Sequence, residues 1–291
     1  MAHFKPQKKA IHQNKKKLRL HSFIQFPLVW MVLGAFVIIL ADGQLSSLVG
    51  GSKGFESISL AIVESAVAVV LYLLTMKYLA HRRVSELSLK NAINEVVFGV
   101  LIGLIFIGIS TLIIFLLDGY SFKWLSASIS SVLLPAISTA LGAAFVEELL
   151  FRGIAYQAIE SMIGRWIALV VTSLFFGIAH LGNPDATIWS SVAIVIQAGV
   201  LLGSAFLWRR SLWFVIGIHF AWNAIEGLLG IPVSGHPSTG LFSAKVTGPF
   251  LLTGGDFGIE ASVVPVIISL LLAIPMLILA KTNKRRSSHV E

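Results

Sequence analysis

The sequence predicts an all-α protein: a polytopic transmembrane bundle of about eight spans with both termini cytoplasmic. Three observations predict it. The 291 residues are 56% hydrophobic and 12% charged, whereas a soluble domain carries about a quarter charged residues. The apolar residues fall in runs of about 20, the length that crosses a hydrocarbon core of roughly 30 Å. The alternating segments of about ten residues that mark a membrane barrel do not occur.

The runs place spans at about 23–41, 57–80, 94–117, 129–155, 165–181, 187–208, 212–229 and 262–280. The basic residues test that path. It puts Lys53, Lys123 and Lys245 on the outer side, leaving 19 of the 22 Lys and Arg on the inner side or, like Arg152, in the span approaching it. Short loops that alternate in this way follow the positive-inside rule. The net charge of +8 is therefore mostly topology. The N-terminal "KPQKKAIHQNKKKLR" fits anionic headgroups of the inner leaflet rather than nucleic acid.

The first span has a basic segment before it, as a signal peptide does. Without a small-residue cleavage site at its end, it reads as an uncleaved anchor. The chain contains no cysteine, which excludes disulfides, thiolate nucleophiles and Cys-based metal sites. Neither an internal repeat nor a soluble domain is evident. The expected organisation is a basic cytoplasmic tail at 1–22, a single transmembrane domain at 23–281 and a second basic tail at 282–291. Within the domain, a motif core occupies about 129–229. The Gly-rich connection at about 230–261 is expected on the outer side, folding back over the helices.

Ionisable groups inside spans are functional candidates by default. Here they are Glu64, Glu95, Glu147, Glu148, Arg152, His180, His219 and Glu226. Glu95, near Lys90, is expected to snorkel or pair at the inner interface. Glu64 fits packing between helices and a channel residue equally well. The other six cluster in spans four, five and seven. Glu148 and Arg152 are four apart with the acid first, the separation and order of a helical ion pair. Glu147 points about 100° away from Glu148 and has no partner in its own helix.

In "FFGIAHLGNPD", Phe176 and His180 share a face and the helix is expected to stop near Gly182-Asn183-Pro184. With a turn near Gly164, Glu147 lies 17 residues before it and His180 lies 16 after it. Equal distances from an antiparallel turn set the two at equal height, facing each other. His219, Asn223 and Glu226 make one polar stripe on span seven. Counted along the helices, the stripe and the Glu147/His180 pair agree in depth only loosely.

A carboxylate beside an imidazole in a restricted cavity can deprotonate water. A second imidazole and an amide NH₂ are suitable donors to an oxyanion. The set suits amide hydrolysis without a covalent nucleophile. Glu147, His180 and His219 could instead hold Zn²⁺, although no HExxH favours it. Taken singly, each group has a plainer reading: a membrane histidine or asparagine commonly serves as an interhelical hydrogen bond. Phe145, Phe151, Phe175 and Trp222 read as core or lipid-facing residues. The coincidence of three polar motifs on helices that can meet outweighs those readings.

These motifs carry a resemblance. "EELLFR" matches EExxxR, "FGIAH" matches FxxxH and "HFAWN" matches HxxxN, in order. The chain resembles the CPBP family of intramembrane proteases, which includes type II CAAX prenyl endopeptidases and bacteriocin-immunity homologues. "LLTGGDFGIE" is similar to a stretch common in bacterial members. The resemblance implies Glu147 as the base that activates water, assisted by His180, an oxyanion hole from His219 and Asn223, and Glu148 with Arg152 as the supporting pair. It favours a glutamate-type mechanism with no cofactor, zinc being the alternative. The expected substrate is a peptide or membrane protein, in a bacterial plasma membrane. A non-catalytic immunity or scaffold protein and a proton-coupled transporter are the competing classes; the transporter lacks the support of an inverted repeat or discontinuous helices.

Overall fold

The computed structural model describes residues 24–52, 54–125 and 129–287. The basic tail 1–22, Lys53 and the tail residues beyond 287 lie outside the described residues. Among the described residues, eight helices are long and apolar enough to cross a membrane. We label them α1 (Pro27–Gly51), α2 (Phe55–Leu74), α3 (Ala92–Leu116), α4, α5 (Arg165–Ala179), α6, α7 (Leu212–Leu229) and α8 (Val263–Ser287). Helix α4 is composite: an α-helix Ile129–Glu148, a π-helical segment Leu149–Ala155 and a last α-helical stretch Tyr156–Ile163. Helix α6 has the same form, Ile188–Ile194, then a π segment Val195–Leu202, then Gly203–Arg209.

Two span boundaries differ from the sequence reading. Pro27 stands at the start of α1, where a missing N–H costs nothing, and the helix runs on through Asp42 to Gly51. The polar "ADGQ" reads as an end, but Leu45, Leu48 and Val49 continue the apolar pattern beyond it. Helix α4 continues past Ala155 to Ile163, a span of 34 residues. At 1.5 Å per residue that is roughly 51 Å, longer than the hydrocarbon core, so it protrudes from it.

Large apolar side chains such as Phe36, Ile62, Leu112 and Leu271 are exposed on the outer helices, the pattern of surfaces that face lipid. Helices α6 and α7 are the inner ones, with 78% and 72% of their central windows buried against 17% for α1. Helix α7 packs on α3 and α4, α2 on α1 and α4, and α5 on α6. The α3–α7 approach depends on Gly99 and Gly103, where a Cβ would collide with the Phe214 and Ile218 carbonyls. Small residues four apart permit such backbone contact between membrane helices.

The connections add one element that an all-α reading does not contain. Strand β1 (Tyr120–Trp124) pairs antiparallel with β2 (Phe242–Val246), Phe122 opposite Ala244. The 230–261 connection is tied to the helix ends beneath it, Leu241 N–H donating to the Leu228 carbonyl at 2.8 Å. At the opposite end of the bundle, Glu86 is buried and accepts hydrogen bonds from Tyr72, Arg82 and Gln157, joining the α2–α3 connection to α4. Glu95 pairs with Arg209 rather than with Lys90.

Candidate active site

The π segment begins one residue after Glu148, within the charged motif. Glu148 is fully buried. Its Oε1 accepts from Arg152 Nη1 at 2.8 Å, the pair its spacing predicts. The same oxygen lies 2.9 Å from His219 Nδ1 on α7. Arg152 already donates to that oxygen, so Glu148 acts as acceptor and Nδ1 carries a hydrogen. Arg152 is itself closed in. Its Nη2 donates to the Ala198 and Gly199 carbonyls in the π segment of α6, and its guanidinium lies over the Phe176 ring at 4.9 Å. A buried charge persists only when paired and hydrogen-bonded in this way.

Glu147 points elsewhere. Its Oε2 is 3.8 Å from His219 Nε2 and is a buried oxygen with no hydrogen-bond partner. The side chain retains 29% exposure because it lines a cavity of about 250 Å³ together with Asp42, Ser46, Glu64 and Thr139. One imidazole thus stands between two adjacent carboxylates, held by one and presented to the other.

His180 caps α5, its Nδ1 2.8 Å from the Phe176 carbonyl. A carbonyl only accepts, so Nδ1 carries the hydrogen and the neutral ring leaves Nε2 free to take a proton. The ring stacks on Phe176 at 4.7 Å, and the Phe176 ring lies 6.4 Å from that of His219. Phe176 therefore neighbours both imidazoles and is not one of the four aromatics singled out in the sequence. Among the described residues no hydrogen bond or ion pair joins Glu147 directly to His180. The count from Gly164 treats α4 as an unbroken α-helix, whereas the π segment lies between Glu147 and that turn and rotates the helix above it.

On α7 the stripe is buried throughout. Asn223 is 8% exposed and its Oδ1 has no partner. Glu226 accepts from Trp222 Nε1 at 2.8 Å. Trp222 in turn packs edge-on against Phe106 of α3.

Asp42 is the residue that sequence reasoning missed, because the first span was ended at residue 41. It lines the Glu147 cavity together with Glu64. Asp42 lies nine residues before the end of α1 and Glu64 nine residues after the start of α2, and that equal spacing is the signal that could have paired them. Gly142 of α4 makes room, since a Cβ there would collide with the Glu64 carboxylate. Among the described residues no group of three or more His, Asp or Glu side chains converges to hold a metal ion. Glu147, His180 and His219, the residues of the zinc alternative, form no such group.

Fold and site together define a multi-pass helical membrane protein with a carboxylate–imidazole centre inside the bundle. Residues 129–225, about a third of the chain, match the family model described as type II CAAX prenyl endopeptidase Rce1-like. The match supports membership of the CPBP family, which the three motifs resemble, and it takes in Glu147, His180, His219 and Asn223. No curated protein and no solved structure matches the chain.

Proposed function

We propose that the protein is a membrane-embedded endopeptidase in which Glu147 activates a water for attack on a peptide carbonyl. The observation that carries this reading is the Glu147 carboxylate: an unpartnered oxygen on a polar cavity, 3.8 Å from an imidazole nitrogen. Glu147 takes the proton of the water as its oxygen adds to the carbonyl carbon, and returns that proton to the leaving amine as the C–N bond breaks. His180, with Nε2 free, assists in moving the proton. The oxyanion receives hydrogen bonds from His219 Nε2 and the Asn223 amide. Because Glu148 holds the Nδ1 hydrogen, His219 donates from Nε2 when the ring carries both protons. The carboxylates on either side balance that charge.

The substrate is a peptide or membrane protein within reach of the bilayer, and a bacterial plasma membrane with an anionic inner leaflet is the setting that the basic inner segments suit. The glutamate-type mechanism is preferred to the zinc one on the donor geometry. Purifying the Glu147→Gln form from its native membrane and identifying the peptides it retains tests the reading. Retained peptides that the wild type then cleaves support it, while peptides that neither form cleaves count against it.

The second reading is a proton-coupled transporter. The observation on its side is the row of Asp42, Glu64 and Glu147 on one cavity wall. Proton-dependent uptake by vesicles, abolished in Asp42→Asn, without new peptide termini is the result that favours it. An immunity or scaffold protein would keep its phenotype in Glu147→Gln.

A further inference from the structure

The GGDFGIE turn at the end of the 230–261 connection brings Glu260 into the protein interior, where it is 3% exposed. It is held at both ends. Its main-chain carbonyl accepts from Gln197 Nε2 at 2.6 Å, and the next carbonyl, that of Ala261, accepts from Trp189 Nε1 at 2.7 Å. Its side-chain Oε2 accepts from the Ser234 hydroxyl at 2.6 Å. The Ser234 carbonyl accepts from Asn183 Nδ2 at 2.9 Å, and Asn183 lies three residues beyond His180. A continuous run of hydrogen bonds therefore leads from the Glu260 carboxylate to the segment that ends α5.

We propose that Glu260 is a positioning residue: through Ser234 and Asn183 it fixes the end of α5 and so the orientation of the His180 ring. The need for such a device is visible in the fold. His180 caps α5 and opens a short 3-10 turn that leads through Gly182-Asn183-Pro184, and its side chain bonds only to the Phe176 carbonyl of its own helix among the described residues. A ring at a helix end keeps a single orientation only if the residues after it are fixed, and a site needs its side chains locked by surrounding partners. Burial pushes the Glu260 carboxyl above its ordinary range, while the Ser234 hydroxyl and the two imidazoles oppose that shift. The inference rests on the endopeptidase reading for the importance of His180, but the positioning itself is measurable without cleavage.

The test uses the full-length protein in membranes. Diethyl pyrocarbonate modification of His180, followed by mass spectrometry, reports the freedom of the ring in wild type, Glu260→Gln, Glu260→Ala and Ser234→Ala. The expected result is a changed rate in Glu260→Ala and Ser234→Ala and a rate near wild type in Glu260→Gln, whose amide oxygen still accepts from Ser234. On captured peptides, kcat falls about tenfold in Glu260→Ala with KM unchanged, the scale on which histidine-orienting partners act. Glu260→Asp restores part of it. Wild-type modification of His180 in both Ala variants overturns the inference, as does a loss of kcat matched by loss of thermal stability and not rescued by Asp. If Glu147→Gln cleaves as wild type does, the assignment of Glu147 as the base fails separately and the modification rates still decide the positioning.

Discussion

The Glu148 carboxylate holds His219 by its Nδ1 nitrogen, at 2.9 Å, through the oxygen that also neutralises Arg152. The second glutamate of the motif thereby links the ion pair within α4 to the imidazole of α7. Glu148→Gln keeps the size of the side chain and still offers an oxygen, but removes the charge that faces Arg152 and His219. We expect kcat to fall about 10- to 100-fold with little change in KM. Equal kcat values for the two forms on the same captured peptide would remove Glu148 from the account.

Arg152→Ala is expected to act on stability before activity. It leaves Glu148 as a buried charge facing only His219, and breaking a buried pair costs about 3–5 kcal/mol. Thermal unfolding in detergent should show a large fall in midpoint. A midpoint equal to wild type would contradict the structural pair.

Asn223→Ala tests the oxyanion assignment. Removing one such donor costs about 10²–10³ in kcat, with binding of substrate little affected. A loss confined to KM would place Asn223 in substrate binding instead.

The α2–α3 connection supplies a pH prediction. Burial raises the Glu86 carboxyl, but the hydrogen bonds from Arg82 and Tyr72 and the Arg82 charge outweigh it, leaving the group below its ordinary value of 4.5. A carboxyl lowered in the folded state contributes stability above its unfolded value, and that contribution is lost as pH falls through the folded one. Wild type should therefore lose stability below about pH 4.5. Glu86→Gln should start less stable and show a flatter acid limb in thermal scans at stepped pH.

Much of this fold was legible because lipid punishes polar groups so heavily. The eight apolar runs mark the spans, and few ionisable residues inside them could be ignored. The Glu148–Arg152 pair could be read because both lie on one helix, where spacing sets direction. What could not be read were relationships that cross helices. The Glu148–His219 bond and the approach of Glu147 to His219 both require the packing of α4 on α7, which helical periodicity does not announce. Asp42 was hidden by ending a helix at its first polar cluster. Strands β1 and β2 are short and separated by more than a hundred residues, so no local pattern joins them. Glu260 looked like part of a Gly-rich loop, since burial of a loop carboxylate depends on the turn that carries it inward.

The central claim is that the Glu147 carboxylate activates water for peptide hydrolysis. The most direct measurement is the single-turnover cleavage of a captured peptide by purified wild type and Glu147→Gln in liposomes, with new termini identified by mass spectrometry. The account predicts a defined new terminus with wild type, a loss of about 10³-fold or more in Glu147→Gln, and the same unfolding midpoint for both. Cleavage by Glu147→Gln at the wild-type rate and at the same bond would contradict it.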